Sequence, residues 1–203
     1  ENDINLFLEK RKGNQKFVLK SKNNLEIDKR KVVSAYLKDY QKIEIKQIED
    51  PEPLRKFITN NLIGMEVSMV SKDSITCNDL SKPEQLPSEN GLRRMKSTIS
   101  SMMRVLSDNP SDLEKMDNIL DKYYILILKQ LNLSVEFPQI KRDLEIERKS
   151  QIIEYRLMAK SLERFGDHLV NISKNKEIQG DKVNEIKNDF EIISENIFDP
   201  DME

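Results

Sequence analysis

Four stretches of the chain repeat apolar residues at alternating steps of three and four, and that period decides most of what it can fold into. The first carries Leu92, Met95, Ile99, Met102 and Leu106; the second carries Leu113, Met116, Leu120, Tyr123 and Ile127. The third carries Tyr155, Met158, Leu162, Phe165, Leu169 and Ile172; the fourth carries Val183, Ile186, Phe190, Ile193 and Ile197. Residues spaced this way fall on one side of an α-helix, so each stretch predicts a helix with a single apolar stripe. Four such stripes close together in sequence have one economical solution, helices packed side by side in a bundle. "NPSDLE" (Asn109–Glu114) reads as a start signal for the second helix, with Ser111 as N-cap and Glu114 three residues on in a capping box. The third and fourth helices are expected to part near Gly180. The last stripe runs nearly to the end of the sequence at "DPDME". Either the protein dimerises along it, or the natural chain continues into a further repeat.

The first eighty residues read differently. "QKFVLKS" (Gln15–Ser21) alternates like a strand, and "DKRKVVSAYLKDY" (Asp28–Tyr40) has a helical pattern. "KIEIKQI" (Lys42–Ile48) alternates strictly, which sends Ile43, Ile45 and Ile48 inward. Pro51 and Pro53 interrupt the chain before a short helix, Leu54–Leu62, that stops near Gly64. "EVSMVSKDSITCNDL" (Glu66–Leu80) fits a hairpin turning at Lys72 and Asp73. Residues 1–80 are therefore expected to form a small α+β unit, 81–91 a Pro- and Ser-containing linker, and 92–203 the helical region.

Charge and cysteine content narrow the function classes. A net charge of -2 makes neither a polyanion binder nor an acidic tail the default. The distribution is uneven, however: Glu1–Lys31 holds nine lysines and arginines against five acids, a segment able to touch nucleic acid or anionic lipid. Cys77 is the single cysteine, which excludes an internal disulfide and a paired-cysteine metal site and suits a reduced cytoplasmic compartment. The longest apolar run, "YYILIL" (Tyr123–Leu128), is far too short to span a bilayer, so membrane association would be peripheral. The sequence opens on Glu1 rather than Met, and residues upstream are expected.

The acids on the second and third helices point to chemistry. Glu163 follows the stripe residue Leu162, and Asp167 lies one turn on; Asp117 follows Met116, and Asp121 lies one turn on. Like charges at i,i+4 repel and weaken a helix slightly. Two such pairs beside facing stripes would bring four carboxylates to one groove, where a divalent cation relieves the repulsion; Mg²⁺, Mn²⁺ and Fe accept carboxylate oxygens readily. The competing reading is neutralisation by Lys122, Lys160 and Arg164 in ordinary surface pairs. Glu185 and Asp189 on the fourth helix repeat the spacing, as a chain with 34% charged residues does by coincidence. His168 lies about 100° round the helix from Asp167 and fits a supporting hydrogen bond better than a ligand. No HExxH, Glu-x-x-His or phosphate-cradling glycine loop is present to suggest an enzyme.

"LERFGDHLVNISK" (Leu162–Lys174) resembles the signature helix of PhoU-domain proteins, and "DNILDKYYILILKQL" (Asp117–Leu131) is similar to its partner helix in archaeal PhoU-like regulators. "LIGMEVSMVSKDSITCNDLSKPEQL" (Leu62–Leu86), "GLRRMKSTISSMM" (Gly91–Met103) and "KRKVVSAYLKDYQKIEI" (Lys29–Ile45) resemble the segments that precede it there. The resemblance implies a mainly α protein, a PhoU-like antiparallel helical bundle preceded by a small α+β subdomain, whose last helix begins a second repeat. It implies a non-enzymatic, cytoplasmic, dimeric regulator of phosphate uptake that works as an adaptor for the phosphate ABC transporter ATPase or its sensor kinase. It also implies a metal ion or cluster (Fe, Zn, Mn or Mg) on Asp117, Asp121, Glu163 and Asp167. Asp117 stands where many members have Glu, a reach one methylene shorter. An AbrB-like DNA-binding hairpin, frequent in such proteins, is absent or cut down here. The alternative reading is a DNA-associated transcription regulator whose bundle senses or dimerises.

Overall fold

In the computed structural model, residues 15–82, 86–106, 110–174 and 181–197 are described. The N-terminal part runs β1 (Lys16–Lys20), α1 (Leu25–Leu37), β2 (Lys42–Lys46), α2 (Glu52–Asn61), β3 (Met65–Val70) and β4 (Ser74–Asp79). The helical part runs α3 (Ser88–Val105), α4 (Pro110–Glu136), α5 (Pro138–Asp143), α6 (Lys149–Lys174) and α7 (Asp181–Ile197). The protein is mainly α, with a small α+β unit ahead of the bundle, as the sequence predicts.

The four strands form one mixed sheet in the order β1-β2-β4-β3, with β1 and β2 parallel and the other pairs antiparallel. Strand alternation turns Leu19, Ile43, Ile45, Ile75 and Cys77 to one face, where α1 and α2 cover them with Val32, Tyr36, Leu54 and Ile58. Ile48 is buried with them, so all three isoleucines of the alternating stretch point inward. Helix α1 begins three residues earlier than its apolar pattern suggests. Asn24 sits in extended backbone and its side chain accepts a hydrogen bond from the Ile27 N–H at 3.1 Å, which caps the helix there. The hairpin turns at Lys72 and Asp73 as expected, with the Ser71 N–H donating to the Ser74 carbonyl at 2.9 Å.

Helices α3, α4 and α6 pack against one another, and α7 lies against α3. Their antiparallel runs follow from the contacts. Ser88 reaches Gln130 and Gly91 reaches Ile127, while Glu114 meets Lys174 and Tyr124 meets Lys160. Leu92, Met95, Ile99, Met102 and Leu106 are all buried, as are Leu113, Leu120, Ile127 and Leu169. The stripes are therefore the core.

In the helical part, too, the elements differ in places from the sequence reading. Helix α3 starts at Ser88, inside the expected linker, and carries Gly91 within its first turn. A Cβ there would lie 3.1 Å from Ile127 Cγ1, so glycine serves a close helix crossing instead of a loop. Helix α4 starts at Pro110, whose ring presets a helical φ at a position that needs no N–H; Ser111 is thus already inside the helix and not its N-cap. Helix α5, a short turn after Phe137, carries no period long enough to be seen. The expected break near Gly180 and the side chains of Val183, Ile193 and Ile197 lie outside what is described.

Candidate functional site: a carboxylate seam between two helices

Helices α4 and α6 run antiparallel, so the acid pair near the start of α4 faces the acid pair near the end of α6. Gly166 makes the approach possible. It is buried, and a Cβ on it would fall 2.2 Å from Leu120 Cδ1 and 3.1 Å from Asp117 Oδ1. Any larger residue would require the Leu120 side chain to shift at the level of the acids. Glycine in the middle of a helix destabilises it by about 0.5–1 kcal/mol relative to Ala, so its presence here is explained by packing across the seam.

The four carboxylates feel one another. Asp117 is pushed up to about 6, first by burial and then by the charges of Asp121, Asp167 and Glu163, against a smaller opposing pull from Lys174. Asp121 is also pushed up to about 6, again first by burial, then by Glu163 and Asp167, with Lys160 opposing. Asp117 Oδ1 is buried and has no hydrogen-bond partner among the described residues. Glu163 is the neutralised member: its carboxylate accepts from Lys160 Nζ at 2.6 Å, and its side chain is mostly covered. Asp167 and His168 are exposed, and Glu114 pairs with Lys174 at 3.0 Å at the open end of the seam.

Neutralisation is therefore partial. Lys160 answers Glu163, while Arg164 and Lys122 make no ion pair with the cluster among the described residues. As the side chains stand, no group of three or more His, Cys, Asp or Glu among the described residues is placed to hold a metal ion. The cluster is a region of only partly relieved negative charge, half sunk between two helices. Glu185 and Asp189, the third pair, sit exposed on α7 away from the seam.

The sequence reading missed a second polar cluster, where the α+β unit meets the bundle. Lys129 of α4 is fully buried, with its ammonium ion-paired to Asp79 and lying 3.2 Å from Asp39. It donates to Ser81 Oγ at 3.0 Å and lies 4.4 Å from the centre of the Tyr36 ring. Ser81 in turn donates its backbone N–H to Asp79 Oδ1 at 2.9 Å. Burial, followed by the charges of Asp79 and Asp39, drives the Tyr36 phenol upward, and its hydroxyl donates to the Ile63 carbonyl at 2.8 Å. Next to Lys129, Gln130 donates to the Leu86 carbonyl at 2.5 Å and accepts from Ser88 at 3.2 Å. The signal was available: a lysine following "YYILIL" is a charge in a run otherwise destined for the interior.

Fold and seam define a helical bundle with a paired-acid face between α4 and α6. Residues 92–175 match the family model of the PhoU domain. At the level of the family this match suggests a regulatory role in phosphate uptake. The matched stretch contains the whole of α4 and α6, and with them all four acids. Comparison with curated proteins and with solved structures gives no match. No helix among the described residues is long and apolar enough to cross a membrane.

Proposed function

We propose that the protein is a cytoplasmic, metal-binding regulator of phosphate uptake that acts as an adaptor on the phosphate ABC transporter ATPase or its sensor kinase. The PhoU domain carries the phosphate reading. The observation behind the metal is the buried, unpartnered Asp117 Oδ1 beside three further carboxylates. An orphaned buried oxygen in a negative cleft is what a hard or borderline cation would satisfy, and all four donors are oxygens of the kind Mg²⁺, Mn²⁺ and Fe accept. The residues fit such an ion in chemistry, although the side chains must turn to share it. Asp117 and Asp121 would hold it from α4, Glu163 and Asp167 from α6. The ion would supply positive charge, joining the two helices and setting the shape of the face a partner reads.

Metal analysis of the purified full chain, beside an Asp121→Ala plus Asp167→Ala variant, tests this. Near-stoichiometric metal in the wild type and its loss in the variant is the expected result. Equal, negligible metal in both would sink the metal claim and leave the adaptor role standing.

One observation favours a second reading, DNA association. On the sheet face that α1 and α2 leave bare, Lys16 and Lys42 sit side by side in register, as do Lys20 and Lys46, with Glu44 alone among them. Duplex binding that weakens steeply with added salt would support it, and no binding at low salt would remove it.

A further inference from the structure

One side chain belongs both to the carboxylate seam and to a groove beside it. Lys160 lies three residues before Glu163 on α6, a spacing that makes the two side chains neighbours on the helix surface. Its ammonium donates to Glu163 Oε2 at 2.6 Å and lies 5.2 Å from the centre of the Tyr124 ring on α4. The Lys160 side chain is 38% exposed and that of Glu163 only 13%, so the acid is the covered member of the pair. The same positive charge opposes the rise of Asp121. Lys160 is thus a counter-ion that the chain supplies to its own acids, at the end of the seam where Asp121 and Glu163 lie.

Lys174 stands at the other end, with one difference. It pulls on Asp117, but its ion pair is with Glu114 at 3.0 Å, outside the four acids. Of the two lysines that bracket the seam, Lys160 is the one hydrogen-bonded to a carboxylate of the set. A divalent ion on that carboxylate would stand a few ångströms from the ammonium, where like charges repel. The groove offers the ammonium another place. It encloses about 490 Å³, and Tyr124, Arg156, Leu157 and Lys160 are among the residues that line it. Glu154, next to Ile153 of the groove wall, is already paired with Arg148 at 3.6 Å.

We propose that Lys160 is a built-in competitor for the seam's metal: it holds Glu163 in the metal-free chain, yields that carboxylate to a divalent cation, and turns its ammonium into the groove. This rests on the metal reading of the four acids. Two consequences follow. The apparent affinity for metal is lowered by the strength of the Lys160–Glu163 pair, because the ion must displace it. Metal occupancy also adds a positive charge to the groove wall beside Arg156, so the state of the buried acids is reported on a neighbouring surface.

Calorimetric titration of the metal-free full chain with Mn²⁺ tests the proposal. Lys160→Met keeps an unbranched side chain against Tyr124 and removes the charge; it should bind Mn²⁺ about five- to tenfold more tightly than wild type. Lys160→Arg keeps both charge and pair and should stay near the wild-type affinity. Lys174→Met removes an equal charge without freeing any of the four acids, and should tighten binding by no more than about twofold. An unchanged circular dichroism spectrum checks the fold of each variant. The second readout is acetylation of the wild type by limiting acetic anhydride, followed by peptide mass spectrometry. The rate at Lys160 should rise on adding Mn²⁺, while that at Lys149 serves as the unaffected reference. Unchanged affinity in Lys160→Met, equal tightening in Lys160→Met and Lys174→Met, or an unchanged Lys160 rate overturns the proposal and leaves the metal site standing. Failure of both wild type and Lys160→Met to bind Mn²⁺ overturns the metal reading, and this proposal with it.

Discussion

Replacing Lys129 with Met removes one buried charge and keeps nearly all of the side-chain volume, so it isolates the electrostatic part of the joint between the α+β unit and the bundle. Lys129 is 0% exposed, and the Asp79 and Asp39 side chains are 0% and 5% exposed. Without the ammonium, two carboxylates remain out of water, and Asp79 retains only its bonds from Ser81. Breaking a buried pair by removing one partner costs about 3–5 kcal/mol. A chain of this kind has roughly 5–15 kcal/mol in total, so the loss takes a large share of it. The contact over the Tyr36 ring disappears too and acts in the same direction. Urea unfolding followed by circular dichroism reads the change directly. Amide exchange locates it: α1 and the sheet should lose protection before α3 and α6. Adding Asp79→Asn and Asp39→Asn to Lys129→Met should recover more than half of the loss, since amides can remain buried at lower expense than unpaired carboxylates. If Lys129→Met costs less than about 1 kcal/mol, the value of an exposed pair, the joint is not held by this cluster and the reasoning fails.

Other outcomes follow from the seam. Gly166→Ala sets a methyl 2.2 Å from the buried Leu120 Cδ1; overpacking of about 1–3 kcal/mol is expected, read as a lowered urea midpoint. Asp117 and Asp121 hold their protons more tightly folded than unfolded, being raised from 3.8 to about 6. Their contribution is therefore greatest below about pH 4 and is lost as pH rises through about 6, and a metal-free sample should show stability falling across that window. Asp121→Asn removes one of the two titrations and a repelling neighbour, so the fall should flatten; an unchanged slope would exclude these acids as its source. Glu114→Ala removes an ion pair whose partners are both more than half exposed, and the unfolding midpoint should stay put within error.

Much of the fold was readable because it rests on period and local chemistry. Leu92, Met95, Ile99, Met102 and Leu106 announced a helix and its buried face together, and Ile43 and Ile45 did the same for a strand. The paired acids were visible as spacing. Their meaning was not, because Asp117 and Asp121 are raised by burial and by charges on another helix, and distance in sequence says nothing of either. Ser111 was misplaced for a local reason: capping signals and an N-terminal proline compete for the same turn, and Pro110 prevails.

What the sequence determined by itself was the set of elements, their inward faces and the acid pairs flanking them, since each follows from neighbours within about two turns. Tertiary structure decided which faces meet. Helix α6 lies against α4 in the one direction that superposes their acids, at a separation Gly166 permits. Lys129, a charge at the end of an apolar run, became the buried counter-charge between Asp79 and Asp39. A side chain's environment is set by residues up to 90 positions away in the sequence, here Asp39 from α4, and only packing brings those charges within reach.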